Sequence, residues 1–253
     1  MTATSIEKDY EGFEQGPIRP PSEANSLLIR VTRNCPWNRC RFCPVYKRRR
    51  FSLRPLAHVI EDIDRVHGYV SAIRQAEAEN GRLTQEDVRR IGQSVTPRDD
   101  GALQAALRWR AGGMRSIVLQ DANSRVIKPA DLREVLIRLR SCFPWVARIT
   151  SYARSHTVAR IADADLRDFA EAGLNRIHIG LESGSDRVLA LMKKGVTKEG
   201  HIKAGHKIKQ AGMELSEYVM PGLGGRDLSR DHAVETADCL NQINPVSYTH
   251  LTL

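Results

Sequence analysis

The sequence contains no long apolar run. No stretch of its 253 residues approaches the roughly 18 consecutive apolar residues that a membrane-spanning helix requires. The segment from Met1 to Tyr10 is polar and acidic, whereas a secretory signal begins with basic residues and continues with an apolar core. We therefore expect a protein that does not enter a membrane and that remains in the cytoplasm.

Cysteine is scarce, and its distribution is uneven. There are five cysteines, three of them close together, and an odd number cannot pair completely into disulfides. In a reducing compartment such clustering indicates metal ligation rather than a disulfide framework. The clustered residues are Cys35, Cys40 and Cys43, with the spacing C-x4-C-x2-C, whereas Cys142 and Cys239 stand alone and are expected to be packing residues.

No fourth cysteine lies near this cluster, which narrows the kind of metal site. A plant-type ferredoxin loop has the same spacing for its first three ligands but needs a fourth cysteine, and a structural zinc ion takes four closed ligands. Three thiolates on a four-iron cluster leave one iron open to an external ligand. The spacing therefore favours an iron–sulfur loop with one open position, with a ferredoxin-like carrier and a zinc site as alternatives.

Positive charge is in excess. The chain has 39 Lys and Arg against 30 Asp and Glu, which gives a formal net charge of +9. These cations are scattered, and the only dense run is Lys47-Arg48-Arg49-Arg50, just after the cysteines. Such a run is either a solvated face, an RNA-binding surface or a basic rim around an anionic cofactor or substrate.

The first part of the chain predicts an arm, a strand and a helical segment. Glycine and proline with little apolar periodicity predict an extended N-terminal arm over residues 1–25. The apolar run from Leu27 to Thr32 predicts a buried strand that leads into the cysteines. Over about residues 53–112 we expect an α-helical insertion of three helices. The first extends to about Asn80, and Thr84 with Asp87 predicts a capping box for the second.

Strand and helix patterns then alternate along the chain. Buried strands are predicted at residues 116–120, 146–152, 176–181 and 213–219, and helices from Pro129 and at residues 163–172, 186–192, 197–210 and 229–241. This alternation indicates an α/β fold with parallel strands, in which sites gather at the carboxyl ends of the strands. We expect one main domain over residues 26–245. Residues 246–253 either begin a sixth strand or form a truncated or artefactual tail.

A three-cysteine loop at the end of the first strand of such a fold resembles the radical S-adenosylmethionine (radical SAM) superfamily, over about residues 27–245. The resemblance implies a partial (βα)6 TIM-like barrel with parallel strands and a 4Fe-4S cluster bound by Cys35, Cys40 and Cys43. In that family the open iron binds the amino and carboxylate groups of S-adenosylmethionine. One electron from the cluster then cleaves this cofactor to a 5′-deoxyadenosyl radical, which abstracts hydrogen from the substrate.

Further motifs support the resemblance. Gly180-Leu-Glu-Ser-Gly-Ser-Asp-Arg-Val-Leu, followed by Met192-Lys-Lys-Gly-Val-Thr, resembles the fourth-strand signature of one branch of the family. That branch contains methylthiotransferases, elongator-type tRNA-modifying enzymes and coproporphyrinogen dehydrogenases. By this resemblance Glu182 bonds the ribose or amino group of the cofactor. Phe42 packs near its adenine, and the segment that contains Met220 and Gly222 lies along the adenine.

One position departs from the family pattern. The second strand of relatives usually ends in Gly-Gly-Glu, which receives the amino group of the cofactor, whereas this chain has Gln120-Asp121-Ala-Asn. Gln120 or Asp121 is the expected replacement, and Tyr152 and Arg154 at the end of the third strand are expected to contact the cofactor carboxylate.

The histidines show no metal-binding spacing. His201 and His206 are expected on an exposed helix.

The sequence thus predicts a radical SAM enzyme whose substrate is a small molecule, a tRNA or a peptide. An electron donor such as flavodoxin or ferredoxin is expected as a partner, because the cluster needs an electron. The alternative is a non-catalytic iron–sulfur or zinc module that binds RNA or a protein partner.

Overall fold

The computed structural model describes residues 10–250 and shows a six-stranded parallel sheet. Its strands, in spatial order, are β1 (Leu27–Arg30), β4 (Ser116–Gln120), β5 (Arg148–Ala153), β6 (Arg176–Glu182), β7 (Glu214–Val219) and β8 (Ser247–His250). A separate antiparallel pair consists of β2 (Thr32–Arg33) and β3 (Ser52–Leu53). The expected α/β fold with parallel strands in a partial barrel is confirmed.

Helices connect the strands and cover one face of the sheet. They are α1 (Leu56–Asn80), α2 (Gln85–Gly92), α3 (Asp100–Ala111), α4 (Pro129–Cys142), α5 (Ser155–Val158), α6 (Asp163–Glu171), α7 (Asp186–Leu191), α8 (Lys198–Gln210) and α9 (Ser229–Ile243). The three helices expected after the first strand are present. The predicted capping box is also present, because the Thr84 side chain accepts from the Asp87 backbone and the Asp87 carboxylate accepts from the Thr84 backbone.

The apolar core lies between the sheet and these helices. Alternate strand residues, such as Leu27 and Ile29 of β1 and Ile177 and Ile179 of β6, belong to one continuous buried cluster with the helices. Each fully buried side chain of this kind contributes roughly 1.5–3 kcal/mol of transfer free energy. The other residues of each strand face the opposite side, which we call the inner face of the sheet.

The N-terminal arm crosses this inner face. The Glu23 carboxylate lies 2.9 Å from His178 Nε2 of β6 and accepts a hydrogen bond from the Ser26 hydroxyl at 2.5 Å. Ser22 and Tyr218 of β7 share a hydrogen bond between hydroxyls at 3.0 Å. The arm therefore packs against the sheet, and residues 1–9 of the predicted arm lie outside the described residues.

Of the two alternatives for residues 246–253, a sixth parallel strand is present as β8, which pairs with β7, whereas residues 251–253 lie outside the described part of the chain. Within residues 10–250, no helix combines the length and the apolarity needed to cross a membrane.

Candidate iron–sulfur and cofactor site

The three clustered cysteines occupy the loop between β2 and β3, which we call the cysteine loop (residues 34–51). Cys35, Cys40 and Cys43 are all half-buried free thiols. The loop turns sharply at Asn34 and Asn38, whose φ angles of 67° and 46° are left-handed, a conformation that asparagine tolerates better than most residues. The antiparallel pairing of β2 with β3 holds the two ends of the loop together.

Asp121, directly after β4, anchors both ends of this loop. Its Oδ2 accepts hydrogen bonds from Arg30 Nε at 3.0 Å, from Arg30 Nη2 at 2.8 Å and from the Asn34 backbone at 2.9 Å. Its Oδ1 accepts from the Tyr46 hydroxyl at 2.6 Å. Burial and the bond to Asp121 raise the pKa of Tyr46 above its usual range, which keeps this hydroxyl protonated.

Gln120 and Tyr152 lie on the inner face of the sheet. Gln120 Oε1 accepts from the Gly16 backbone at 2.8 Å, and Gln120 Nε2 donates to the Ile18 carbonyl at 2.5 Å. The Tyr152 hydroxyl lies 3.0 Å from the Tyr218 hydroxyl, and their rings stack. Gln120, Tyr152 and the arm line a cavity of about 70 Å³. These two side chains are therefore engaged with the arm and with the neighbouring strand.

Two cations lie next to the cysteines. Arg154, which follows β5, donates from Nη2 to the Lys194 carbonyl at 2.6 Å. Burial lowers the pKa of Arg154, while the nearby thiols of Cys35 and Cys40 raise it. Burial raises the pKa of the Cys40 thiol, and the charges of Lys194 and Arg154 oppose that rise. The two cations thus favour thiolates, which are the form that binds metal.

Glu182, the last residue of β6, completes this charged group. Its Oε1 lies 3.0 Å from Lys194 Nζ, whereas Oε2 is buried and has no hydrogen-bond partner within residues 10–250. The backbone of Glu182 is left-handed, with φ of 64°. A β-carbon at Gly180 would collide with Glu182 Oε1, so the glycine makes room for this carboxylate. A buried carboxylate oxygen without a donor is suited to an external donor group.

Phe42 and Met220 meet in a small apolar cluster with Val188. The Phe42 ring also lies 5.6 Å from Lys194 Nζ. His232 lies 3.1 Å from the Met220 carbonyl and so holds the start of the turn that contains Gly222, where φ is 83°.

The structure separates the sequence-predicted residues into two groups. Those grouped with the cysteines and Lys194 are Phe42, Arg154, Glu182 and Met220. Those bonded instead to the loop ends, the arm or β7 are Gln120, Asp121 and Tyr152. Within the described ranges, no three His, Cys, Asp or Glu side chains surround one metal-ion position. Each cysteine of a four-iron cluster binds a different iron, so such a cluster does not require convergence on one ion.

Lys194 is a site residue that the sequence interpretation did not assign. It lies within the Met192-Lys-Lys-Gly-Val-Thr motif, and this motif is the only feature of the sequence that points to Lys194 as a site residue. Its side chain is buried between Glu182 and Phe42, whereas the adjacent Lys193 is exposed. The sequence alone does not show which of two consecutive lysines is buried and which is exposed.

The expectation of an exposed His201 is wrong. This residue is fully buried on α8, its Nδ1 lies 2.6 Å from the Ser155 hydroxyl, and burial lowers its pKa to about 3. His206 on the same helix is exposed, as expected.

Glu217 of β7 is a second buried ionisable residue, and no sequence signal identified it. Within residues 10–250 neither carboxylate oxygen has a hydrogen-bond partner. Burial raises its pKa well above the usual value.

A parallel α/β barrel fold with a three-cysteine loop after its first strand defines a class of cluster-binding proteins. Residues 29–238 match the profile of the Radical SAM superfamily, and the chain belongs to this superfamily. Its members use a 4Fe-4S cluster and S-adenosylmethionine. The likeness predicted from the cysteines and the fourth-strand motif is confirmed.

The chain is similar to several characterised proteins. It is 25% identical over 255 residues to human mitochondrial tRNA methylthiotransferase CDK5RAP1, an alignment that covers 90% of this chain and 37% of that protein. It therefore spans little more than a third of this curated relative.

Solved structures show the fold. One is TsrM of Kitasatospora setae, a radical S-adenosylmethionine methyltransferase (TM-score 0.59, 14% identity, 98% of this chain and 42% of that chain). Another is coproporphyrinogen III oxidase HemN of Escherichia coli (TM-score 0.55, 13% identity, 98% and 52%).

Proposed function

We propose that this chain is the core of an enzyme that reductively cleaves S-adenosylmethionine at a 4Fe-4S cluster held by Cys35, Cys40 and Cys43. The observation that carries the proposal is the grouping of three free thiols with two largely buried cations and Glu182, whose Oε2 has no partner among the described residues. When bound, the cluster and cofactor supply a 5′-deoxyadenosyl radical that takes a hydrogen atom from the substrate.

The surrounding residues suit the parts of the cofactor. Arg154 provides a guanidinium for the cofactor carboxylate, since such pairs form charge-assisted hydrogen bonds. The free Oε2 of Glu182 accepts from the amino group or a ribose hydroxyl, while Lys194 neutralises the same carboxylate at Oε1. Phe42 and Met220, next to the turn at Gly222, provide the apolar surface for adenine.

Gln120 and Asp121 have positioning roles in this proposal. The sequence assigned one of them to the cofactor amino group, but protein donors engage Gln120 Oε1 and both Asp121 oxygens. We propose that Asp121 sets the cysteine loop and that Gln120 holds the N-terminal arm. Tyr152 was assigned to the cofactor carboxylate, and its place on the inner face favours a role in the wall of the substrate cavity.

Anaerobic reconstitution tests the proposal. The chain should take up about four irons and, with dithionite, should produce 5′-deoxyadenosine from S-adenosylmethionine. Cys40→Ala should lose iron and cleavage without a change in its circular dichroism spectrum. Cys239→Ala is the matched control, because Cys239 is buried in the apolar core, and it should retain both. A stably bound zinc ion without cleavage would contradict the proposal.

Electron paramagnetic resonance distinguishes this proposal from the alternative of a non-catalytic module. An open iron changes the electron paramagnetic resonance spectrum of the reduced cluster when S-adenosylmethionine binds. A spectrum that does not respond favours a closed cluster and the non-catalytic alternative.

For the substrate, we propose tRNA as the class to test first, ahead of small molecules and peptides. The human relative is named as a tRNA methylthiotransferase, and Arg48, Arg49 and Arg50 form an exposed basic run in the cysteine loop. Filter binding of tRNA to Arg49→Glu/Arg50→Glu should be weaker and less salt-dependent than binding to the unmodified chain. If the variant and the unmodified chain bound tRNA equally well, the basic run would no longer support tRNA as the substrate.

A further inference from the structure

An open groove of about 1090 Å³ lies against the outer side of the cysteine loop. Trp37 and Arg39 of the loop form one wall, and the segments of α5, α7 and α8 with their connections form the rest. α8 packs against β7, and α5 packs against α8. Within the described part of the chain, no residue that lines the groove also lines the cavity bounded by Gln120 and Tyr152, so the two are separate.

The rim of the groove is positively charged. Arg39, Arg160, Lys193 and Lys203 are exposed there, and among the described residues the lining contains two carboxylates, those of Asp186 and Glu199. Within residues 10–250, none of these four cations forms a salt bridge with a carboxylate. Lys203 also helps to lower the pKa of the Asp163 carboxyl, so the charges of Arg39, Arg160 and Lys193 are the most available to a partner.

Trp37 connects the groove to the cysteines. It lies between Cys35 and Cys40 in the chain, and its Nε1 donates to the Lys193 carbonyl at 2.7 Å. The guanidinium of Arg39 lies 5.0 Å from the indole centroid, and that of Arg154 lies 4.9 Å from it. A molecule bound in the groove therefore contacts Trp37, which belongs to the same loop as the cluster ligands.

We propose that this groove docks an acidic one-electron donor protein of the flavodoxin or ferredoxin class. The proposal rests on the proposed function, because only a redox cluster needs such a partner. The donor loses one electron, the cluster gains it, and no proton or group is transferred. A donor in the groove leaves the inner face free, so reduction and substrate binding do not compete for space.

The composition of the rim favours a protein over RNA. RNA offers phosphates that match the cations but would place further negative charge against Asp186 and Glu199. A protein surface carries both signs and can complement this mixed rim. The groove also has apolar surface from Ala159, Ala190 and Val196, which suits the apolar centre of a protein interface.

Charge reversal on the rim tests the proposal. In Arg160→Glu/Lys203→Glu, reduction of the reconstituted cluster by reduced flavodoxin should slow about tenfold at low salt, since rim charges mainly control association rates. Lys193→Glu alone should slow it less. Arg89→Glu/Arg133→Glu reverses two exposed cations outside the groove and should keep the normal rate.

Two further measurements separate the outcomes. Dithionite-driven formation of 5′-deoxyadenosine should be unchanged in the rim variant, because dithionite needs no docking site. An unchanged rate of reduction by flavodoxin overturns the docking proposal. If the rim variant also binds tRNA more weakly, the groove is assigned to RNA. If the unmodified chain takes up a cluster but does not cleave the cofactor, the proposed function fails, and cluster bleaching by flavodoxin still tests the groove.

Discussion

Replacing Asp121 with alanine should destabilise the fold and empty the cluster site together. Removing one partner of a buried ion pair costs about 3–5 kcal/mol, because the other charge remains buried. Here Arg30 keeps a second partner in Glu14, with Nη1 and Oε1 2.5 Å apart, which places the loss near the lower end. The hydrogen bonds from Asn34 and Tyr46 add about 1 kcal/mol each when their acceptor is lost.

The resulting loss of about 5 kcal/mol corresponds to a decrease in melting temperature of roughly 15 °C for a chain of this size. Asn34 directly precedes Cys35, and Tyr46 follows Cys43, so both ends of the cysteine loop lose their anchor. Urea unfolding of the metal-free protein measures the first effect, and iron per chain after reconstitution measures the second. The exposed Asp168→Asn is the matched control for both.

Asp121→Asn distinguishes positioning from direct cofactor binding. The amide keeps the shape but weakens the pairing with Arg30, so both stability and iron content should fall by an intermediate amount. If Asp121 instead received the amino group of the cofactor, the variant would keep its iron and its free energy of unfolding and would bind S-adenosylmethionine more weakly. That pattern would refute the positioning role.

Two further predictions concern buried histidine and glycine. Because burial lowers the pKa of His201 to about 3, the unfolded chain binds a proton below about pH 6.5 that the folded chain does not, so the free energy of unfolding decreases as the pH is lowered below about 6.5. His201→Gln should remove about 2 kcal/mol of the loss in unfolding free energy between pH 7 and pH 5, whereas the exposed His206→Gln should not; equal slopes would show that His201 is accessible. Gly195→Ala should lower the melting temperature more than Gly81→Ala and change tryptophan fluorescence. Both glycines have positive φ, but only at Gly195 would the new methyl group collide with Trp37; equal effects would contradict the packing.

Much of the fold follows from local patterns. Apolar residues at helical spacing predicted α1 with its end at about Asn80, and the helix is observed to end at Asn80. The next residue, Gly81, adopts a left-handed conformation. Short runs rich in apolar and β-branched residues predicted the other five strands of the parallel sheet, which are β1, β4, β5, β6 and β7. The same pattern placed Cys35, Cys40 and Cys43 directly after the first strand.

Side-chain partners did not follow from local patterns. Asp121 and Glu182 both end strands, yet Asp121 is saturated by protein donors and Glu182 keeps a free oxygen. The difference comes from Arg30 and Tyr46, which are distant in sequence from Asp121. The error on His201 has the same origin, since the partner of its ring, Ser155, belongs to the preceding strand–helix unit.

The amino-acid pattern alone specified the strand–helix alternation and a cluster loop with three cysteines, because burial periodicity and ligand spacing are properties of contiguous residues. Tertiary packing decided which polar groups surround that loop. It joined Arg154, Glu182 and Lys194 beside Cys40, turned Asp121 into an anchor and placed the basic groove outside the barrel. Such contacts join residues far apart in the chain, so they depend on how strands and helices pack and not on any local signal.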